Sequence, residues 1–96
     1  MKTRKLGLDG PDVSAIGLGC MSFGGFHGST NKAESFECLD SAREHGITFL
    51  DTAEMYAVPP KKETYGLTET YIGSWLKNQD RSKIILATKI SGRTSN

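Results

Sequence analysis

The chain has 96 residues, with 12 Lys+Arg against 11 Asp+Glu, 36% AVILMFWYC residues and 24% charged residues. That is the composition of a soluble globular protein of one domain, or of a piece of one. The near balance of charge leaves no basic excess for a nucleic-acid backbone, and no apolar run approaches the ~18 residues of a membrane span.

The basic start, Met1-Lys2-Thr3-Arg4-Lys5, runs into Gly-Leu-Asp-Gly-Pro-Asp and not into an apolar core, so no secretory signal is expected. Residues 3–8 and 12–16 flank Asp9-Gly10, which predicts a β-hairpin with its turn there, because glycine tolerates positive φ. Ala15-Ile16-Gly17-Leu18-Gly19 predicts a short strand. A glycine-rich loop follows, Gly24-Gly25-Phe26-His27-Gly28. Gly17-x-Gly19 is not a dinucleotide-binding loop: the third glycine comes too late, and it opens a loop where that motif opens a helix.

Asn31, with Glu34 three residues on, predicts a capping box at the start of a helix over 32–45. Ala33, Phe36, Leu39 and Ala42 form its apolar face, with Cys38 on the same side. His45 is expected to stabilise the last turn and Gly46 to supply the left-handed stop. Ile47 to Asp51 predicts a second strand. Residues 52–67, with Pro59-Pro60, Lys61-Lys62 and Gly66, read as a long loop, a feature uncommon without a function. Thr68 is expected to cap a second helix over 68–77, with Ile72, Trp75 and Leu76 packed inward. Asn78 to Lys83 is a polar turn. Ile84 to Lys89 predicts a third strand, nearly all apolar over Ile84-Ile85-Leu86-Ala87 and so suited to burial on both faces. The tail from Ser91 to Asn96 is polar. Cys20 and Cys38 are too few for a disulfide framework; both are expected in the core, free, in a reducing cytoplasm.

The order is therefore hairpin, β, α, β, α, β. Strands alternating with helices predict a parallel sheet with right-handed crossovers and both helices on one face. Such a unit is what a (β/α)8 barrel would present over its first three strands.

Asp51 and Lys89 each end an apolar strand. In a parallel sheet both lie at the C-terminal edge, where such folds keep their chemistry. Tyr56, five residues past Asp51, is near enough to fold back over that edge. Taken singly, each is most simply a solvated strand end or loop residue. Taken together they make a tunable proton donor. A phenol with a pKa near ~10 is a weak acid at neutral pH. A neighbouring ammonium stabilises the phenolate, and a carboxylate keeps the ammonium charged.

The segments Gly17-Leu18-Gly19 with Met21 and Gly24-Gly25, Ala42 to Gly46, Phe49-Leu50-Asp51-Thr52-Ala53-Glu54-Met55-Tyr56 and Ala87-Thr88-Lys89 resemble the opening third of an aldo-keto reductase. Val58-Pro59-Pro60, Glu63-Thr64, Gly66-Leu67-Thr68-Glu69-Thr70-Tyr71, Gly73 and Trp75-Leu76 resemble its Tas-type branch. The resemblance implies that residues 1–96 are the N-terminal portion of a (β/α)8 TIM barrel, incomplete as given. It implies reduction of an aldehyde or ketone with NADPH. Residue by residue, it implies Tyr56 as the general acid, Lys89 as the group that lowers its pKa, and Asp51 as the partner of Lys89. Gly19, Cys20, Met21 and Asp51 fall on the nicotinamide side, with Cys20 replacing a commoner threonine. The family's catalytic histidine, at the end of the next strand, falls beyond Asn96, so these residues alone are expected to be inactive. No metal is implied. Two other readings fit the strand-end lysine: a Schiff-base enzyme of aldolase type using Lys89, and a non-catalytic NADPH-binding subunit or inert fragment. The expected partner is a small carbonyl compound, with no nucleic acid and no membrane.

Overall fold

A computed structural model describes residues 1–24, 31–57 and 62–90. The glycine-rich loop past Gly24, the Val58-Pro59-Pro60-Lys61 segment and the polar tail from Ser91 lie outside the described residues. The elements are β1 (Thr3–Lys5), β2 (Asp12–Ser14), β3 (Gly17–Gly19), α1 (Lys32–Glu44), β4 (Phe49–Asp51), α2 (Leu67–Leu76) and β5 (Ile85–Ala87), with a 3-10 turn over Arg81–Lys83.

Strands β3, β4 and β5 pair side by side and parallel, in that order. The register aligns Leu18, Leu50 and Leu86, and on the next rung Gly19, Asp51 and Ala87. Because side chains alternate across a sheet, the leucines share one face and Gly19, Asp51 and Ala87 share the other. The leucine face carries the core. Cys20, Phe23, Leu39, Leu50, Ile72, Trp75 and Ile84 form one buried cluster, with Leu18 and Leu86 packed against it. Both helices contribute to this cluster, so both lie on the leucine side, as the alternating periodicity predicts. The indole Nε1 of Trp75 donates to Asp40 Oδ1 at 2.7 Å, joining α2 to α1 inside that layer.

Helix α1 begins and ends as its sequence predicts. Asn31 Oδ1 accepts from the Glu34 amide at 2.8 Å and the Glu34 carboxylate reaches back to the Asn31 amide. At the far end Gly46 sits at φ +83, its amide donates to Arg43 O at 3.0 Å, and the Ile47 amide donates to Ala42 O at 2.9 Å. These two bonds are the Schellman pattern that glycine permits. His45 is the C-cap, with Nδ1 2.7 Å from Ser41 O.

The buried face of α1 differs from expectation. Ser35, Leu39 and Ala42 are buried and Phe36 is half-buried, whereas Ala33 and Cys38 are exposed. The stripe is rotated by about one residue toward Ser35. A serine is tolerated there because its hydroxyl donates to Asn31 O at 2.8 Å and satisfies itself within the helix. Cys38 is therefore a surface thiol and not part of the core.

Three further expectations are corrected. The hairpin does not turn on Asp9-Gly10. Its strands pair Thr3 with Ser14 and Lys5 with Asp12, and the Leu6 amide donates to Pro11 O at 2.9 Å, which closes a wider loop. A two-residue Asp-Gly turn would need an amide at position 11, and proline has none. The left-handed position falls on Gly7, at φ +79. Second, Thr68 is not the cap of α2. The helix starts at Leu67 behind Gly66, which offers no side-chain cap. Thr68 is fully buried, and its hydroxyl donates to the Phe23 carbonyl. Third, β5 is not buried on both faces: Ile85, Leu86 and Ala87 are all half-buried, because β5 has a strand partner on only one side among the described residues.

The hairpin is fastened under the N-terminal end of the sheet. Ser14 Oγ is buried, donates to Ile16 O at 2.7 Å, and accepts from the amides of Thr48 at 3.1 Å and Phe49 at 3.3 Å. Among the described residues no helix is long and apolar enough to cross a membrane.

Candidate active site

The parallel register brings Asp51, at the last position of β4, level with Ala87, the last residue of β5. The β4–β5 ladder then continues beyond the strands: Thr52 N donates to Ala87 O at 2.8 Å and Glu54 N to Lys89 O at 3.0 Å. On the other side Cys20 N donates to Asp51 O at 2.9 Å. These bonds hold Asp51 and Lys89 at one rim although neither side chain is buried; each is 53% exposed.

Lys89 Nζ donates to Asp51 Oδ1 at 2.7 Å and to the main-chain carbonyl of Thr52, also at 2.7 Å. The same ammonium lies 5.4 Å from the centre of the Tyr56 ring, within cation–π range. The hydrogen bond to Asp51 raises the pKa of Lys89, with further contributions from the charge of Asp51 and from Tyr56; partial desolvation opposes them. Lys89 is thus held as a cation beside a phenol. Tyr56 is half-buried, and its neighbour Ala57 is buried.

The inner face beside Asp51 is nearly bare of side chains. A Cβ built on Gly19 meets nothing within 4 Å, and the residue across the other rung is alanine. With the hairpin, this face bounds an open trough of about 570 Å³ lined in part by Gly17, Gly19, Phe49, Asp51 and Ala87. Met21 reaches the surface near the rim and is 37% exposed. Cys20 does not. It is fully buried in the core cluster, its Sγ donates to Leu18 O at 3.5 Å, and burial pushes its thiol up to about 12, so it stays protonated. Of the four positions expected on the nicotinamide side, Gly19, Met21 and Asp51 are accessible and Cys20 is not.

Residues 15–96 match the sequence model of the Aldo/keto reductase family. This chain belongs to that family. Protein tas of Escherichia coli strain K12 is 49% identical over 86 residues, covering 88% of this chain and 24% of tas. Aldo-keto reductase yakc [NADP(+)] of Schizosaccharomyces pombe is 39% identical over 88 residues, covering 91% of this chain and 23% of yakc. Among solved structures, aldo-keto reductase AKR11C1 from Bacillus halodurans, in its holo form, superposes with a TM-score of 0.78 at 39% identity, covering 99% of this chain and 28% of that one. The chain thus spans about a quarter of the length of the curated relatives it matches. Its hairpin and β-α-β-α-β run are the first part of an aldo/keto reductase TIM barrel, Tas-type, incomplete over these residues.

The sequence reading missed one member of the site, the Thr52 carbonyl. A main-chain acceptor leaves no mark in residue type. Its only trace is position, directly after a charged strand end. Nor does the sequence mark two side-chain links near the rim: Tyr65 Oη donates to Glu54 Oε1 at 2.8 Å, and Thr88 Oγ1 donates to Glu69 Oε2 at 2.5 Å.

Proposed function

We propose that the protein of which residues 1–96 form the N-terminal portion reduces aldehydes or ketones to alcohols with NADPH, in the cytoplasm. One observation carries the reading: the Lys89 ammonium sits between the Asp51 carboxylate at 2.7 Å and the Tyr56 ring. The nicotinamide, when bound, supplies a hydride to the carbonyl carbon. The chain's own part is the proton. As charge builds on the carbonyl oxygen, Tyr56 Oη donates to it, and the adjacent ammonium stabilises the phenolate left behind. Asp51 keeps Lys89 charged and in place. Such a positioned acid contributes roughly 10²–10⁴ in rate.

The residues present suit the nicotinamide end of the cofactor. The open space at Gly19 and the short side chain of Ala87 leave a flat surface beside Asp51, and Met21 offers an apolar edge. Support for NADPH over NADH comes from the NADP(+) in the name of the yakc relative. A Schiff-base role for Lys89 is disfavoured by the raised pKa, because a protonated amine is not a nucleophile. Residues 1–96 alone are expected to turn nothing over, since Gly19, Met21 and Asp51 would meet only one end of a dinucleotide.

The test is the loss of reduced-nicotinamide absorbance when the whole protein meets a panel of aromatic and aliphatic aldehydes and ketones. Turnover dependent on both NADPH and carbonyl is the expected result. NADPH binding without turnover of any carbonyl would point to a binding subunit. Inactivation by borohydride only in the presence of a carbonyl substrate would restore the Schiff-base reading.

A further inference from the structure

Lys89 lies two residues beyond β5, in extended chain, and has a long flexible stem. Its ammonium is nevertheless aimed, and two acceptors aim it. The Asp51 carboxylate can rotate about its own side-chain bonds. The other acceptor, the Thr52 carbonyl at 2.7 Å, belongs to a planar peptide and cannot turn without the backbone.

That backbone is fixed from two sides. The Thr52 amide donates to Ala87 O at 2.8 Å. The Thr52 side chain is fully buried on the helix side of the sheet, where it lines a small cavity of about 210 Å³ with Glu69, Ile72, Gly73, Leu76 and Leu86. Its hydroxyl has no hydrogen-bond partner among the described residues. A buried hydroxyl without a partner is a net cost. The hydroxyl therefore does not explain the residue's value at this position. What remains is shape: a β-branched side chain that restricts its own χ1 and favours extended backbone.

We propose that Thr52 is a positioning residue for Lys89, acting through its main-chain carbonyl, with the buried β-branched side chain as the wedge that aims it. The catalytic consequence rests on the reductase reading; the effect on Lys89 does not.

Two substitutions separate shape from hydroxyl in the whole protein. Thr52→Val keeps the branching and removes the hydroxyl. Thr52→Ser keeps the hydroxyl and removes the methyl. The primary readout is the titration of the Lys89 ammonium, followed by side-chain nitrogen NMR with Asp51 and Tyr56 intact. The second is kcat against KM for an aromatic aldehyde. In Thr52→Val, Lys89 should titrate as in the wild type. In Thr52→Ser, Lys89 should titrate at lower pH and kcat should fall about tenfold, as expected for a slightly misplaced group. KM for NADPH should not move. A Lys89 titration shifted by valine and left in place by serine would assign the effect to the hydroxyl and overturn the proposal. So would a titration unmoved by either. If the wild type reduces no carbonyl but the two variants still order Lys89 as stated, the reductase reading fails and this one stands.

Discussion

The two ends of the sheet are built on opposite principles. At the N-terminal end the hairpin is pinned by Ser14, a buried neutral side chain whose single oxygen serves three main-chain groups. At the C-terminal end Asp51 and Lys89 are charged, half exposed and joined to each other. A buried and satisfied hydroxyl contributes stability and has nothing left to offer a ligand. An exposed ion pair contributes little stability, but it keeps its charges available. The contrast predicts that substitutions at one end change stability and leave rate alone, while those at the other do the reverse.

The sharpest way to break that contrast is Tyr56→Phe in the whole protein. Carbonyl reduction should fall by at least about 10²-fold, with NADPH affinity nearly unchanged, in steady-state kinetics and a binding titration. A variant that keeps more than about a tenth of kcat would leave less than ~1.4 kcal/mol of the barrier to the phenol and exclude it as the acid. Leu50→Ala probes the layer between the ends. Leu50 is fully buried at the centre of the core, so urea denaturation should show a loss of about 2–5 kcal/mol. Ser14→Ala should cost about 1–3 kcal/mol in the same measurement, because two amides lose their acceptor. Its kcat should stay within twofold of wild type, by about 0.4 kcal/mol of barrier at most.

The smallest effect is expected from alkaline pH. The pKa of Lys89 is raised in the folded protein above its ordinary 10.5. The folded state therefore holds this proton more tightly than the unfolded chain does. The stability linked to it is fully present below pH 10.5 and is lost as pH climbs through the raised folded value. Thermal melts across that window should decline more steeply for the wild type than for Asp51→Asn. Parallel declines would mean that the pair adds no measurable stability, as is common for exposed ion pairs.

Much of this was legible in the chain. The caps of α1 are read from Asn31, Glu34 and Gly46 because each acts within a turn of its own position. The alternation of helix and strand follows from local periodicity, and with it the parallel sheet that brings Asp51 and Lys89 to one end. Part of what escaped the sequence depends on contacts distant in the chain. Thr68 looks like a cap until the Phe23 carbonyl, far back in the sequence, is found to take its hydroxyl. Cys38 and Ala33 look like core until Ser35, satisfied by Asn31, occupies the inward stripe instead. The Asp9-Gly10 turn was misplaced for a local reason, the missing amide of Pro11, which the residue types did contain. The Thr52 carbonyl left only its position after Asp51 as a trace, since every residue carries the same main-chain group.

The bond between Trp75 and Asp40 has a practical consequence. Trp75 is the chain's single tryptophan; it is 3% exposed, with its indole N–H given to a carboxylate on the other helix. Emission from this region therefore reports on whether α1 and α2 remain docked, through the polarity around one ring. The rim carries a different aromatic, Tyr56, whose ring centre lies 5.4 Å from the Lys89 ammonium. A substitution at Asp51 or Tyr56 that leaves the emission maximum in place has altered the rim alone. Asp40→Asn keeps a side-chain oxygen to accept from the indole but removes its charge, and so serves to calibrate the signal.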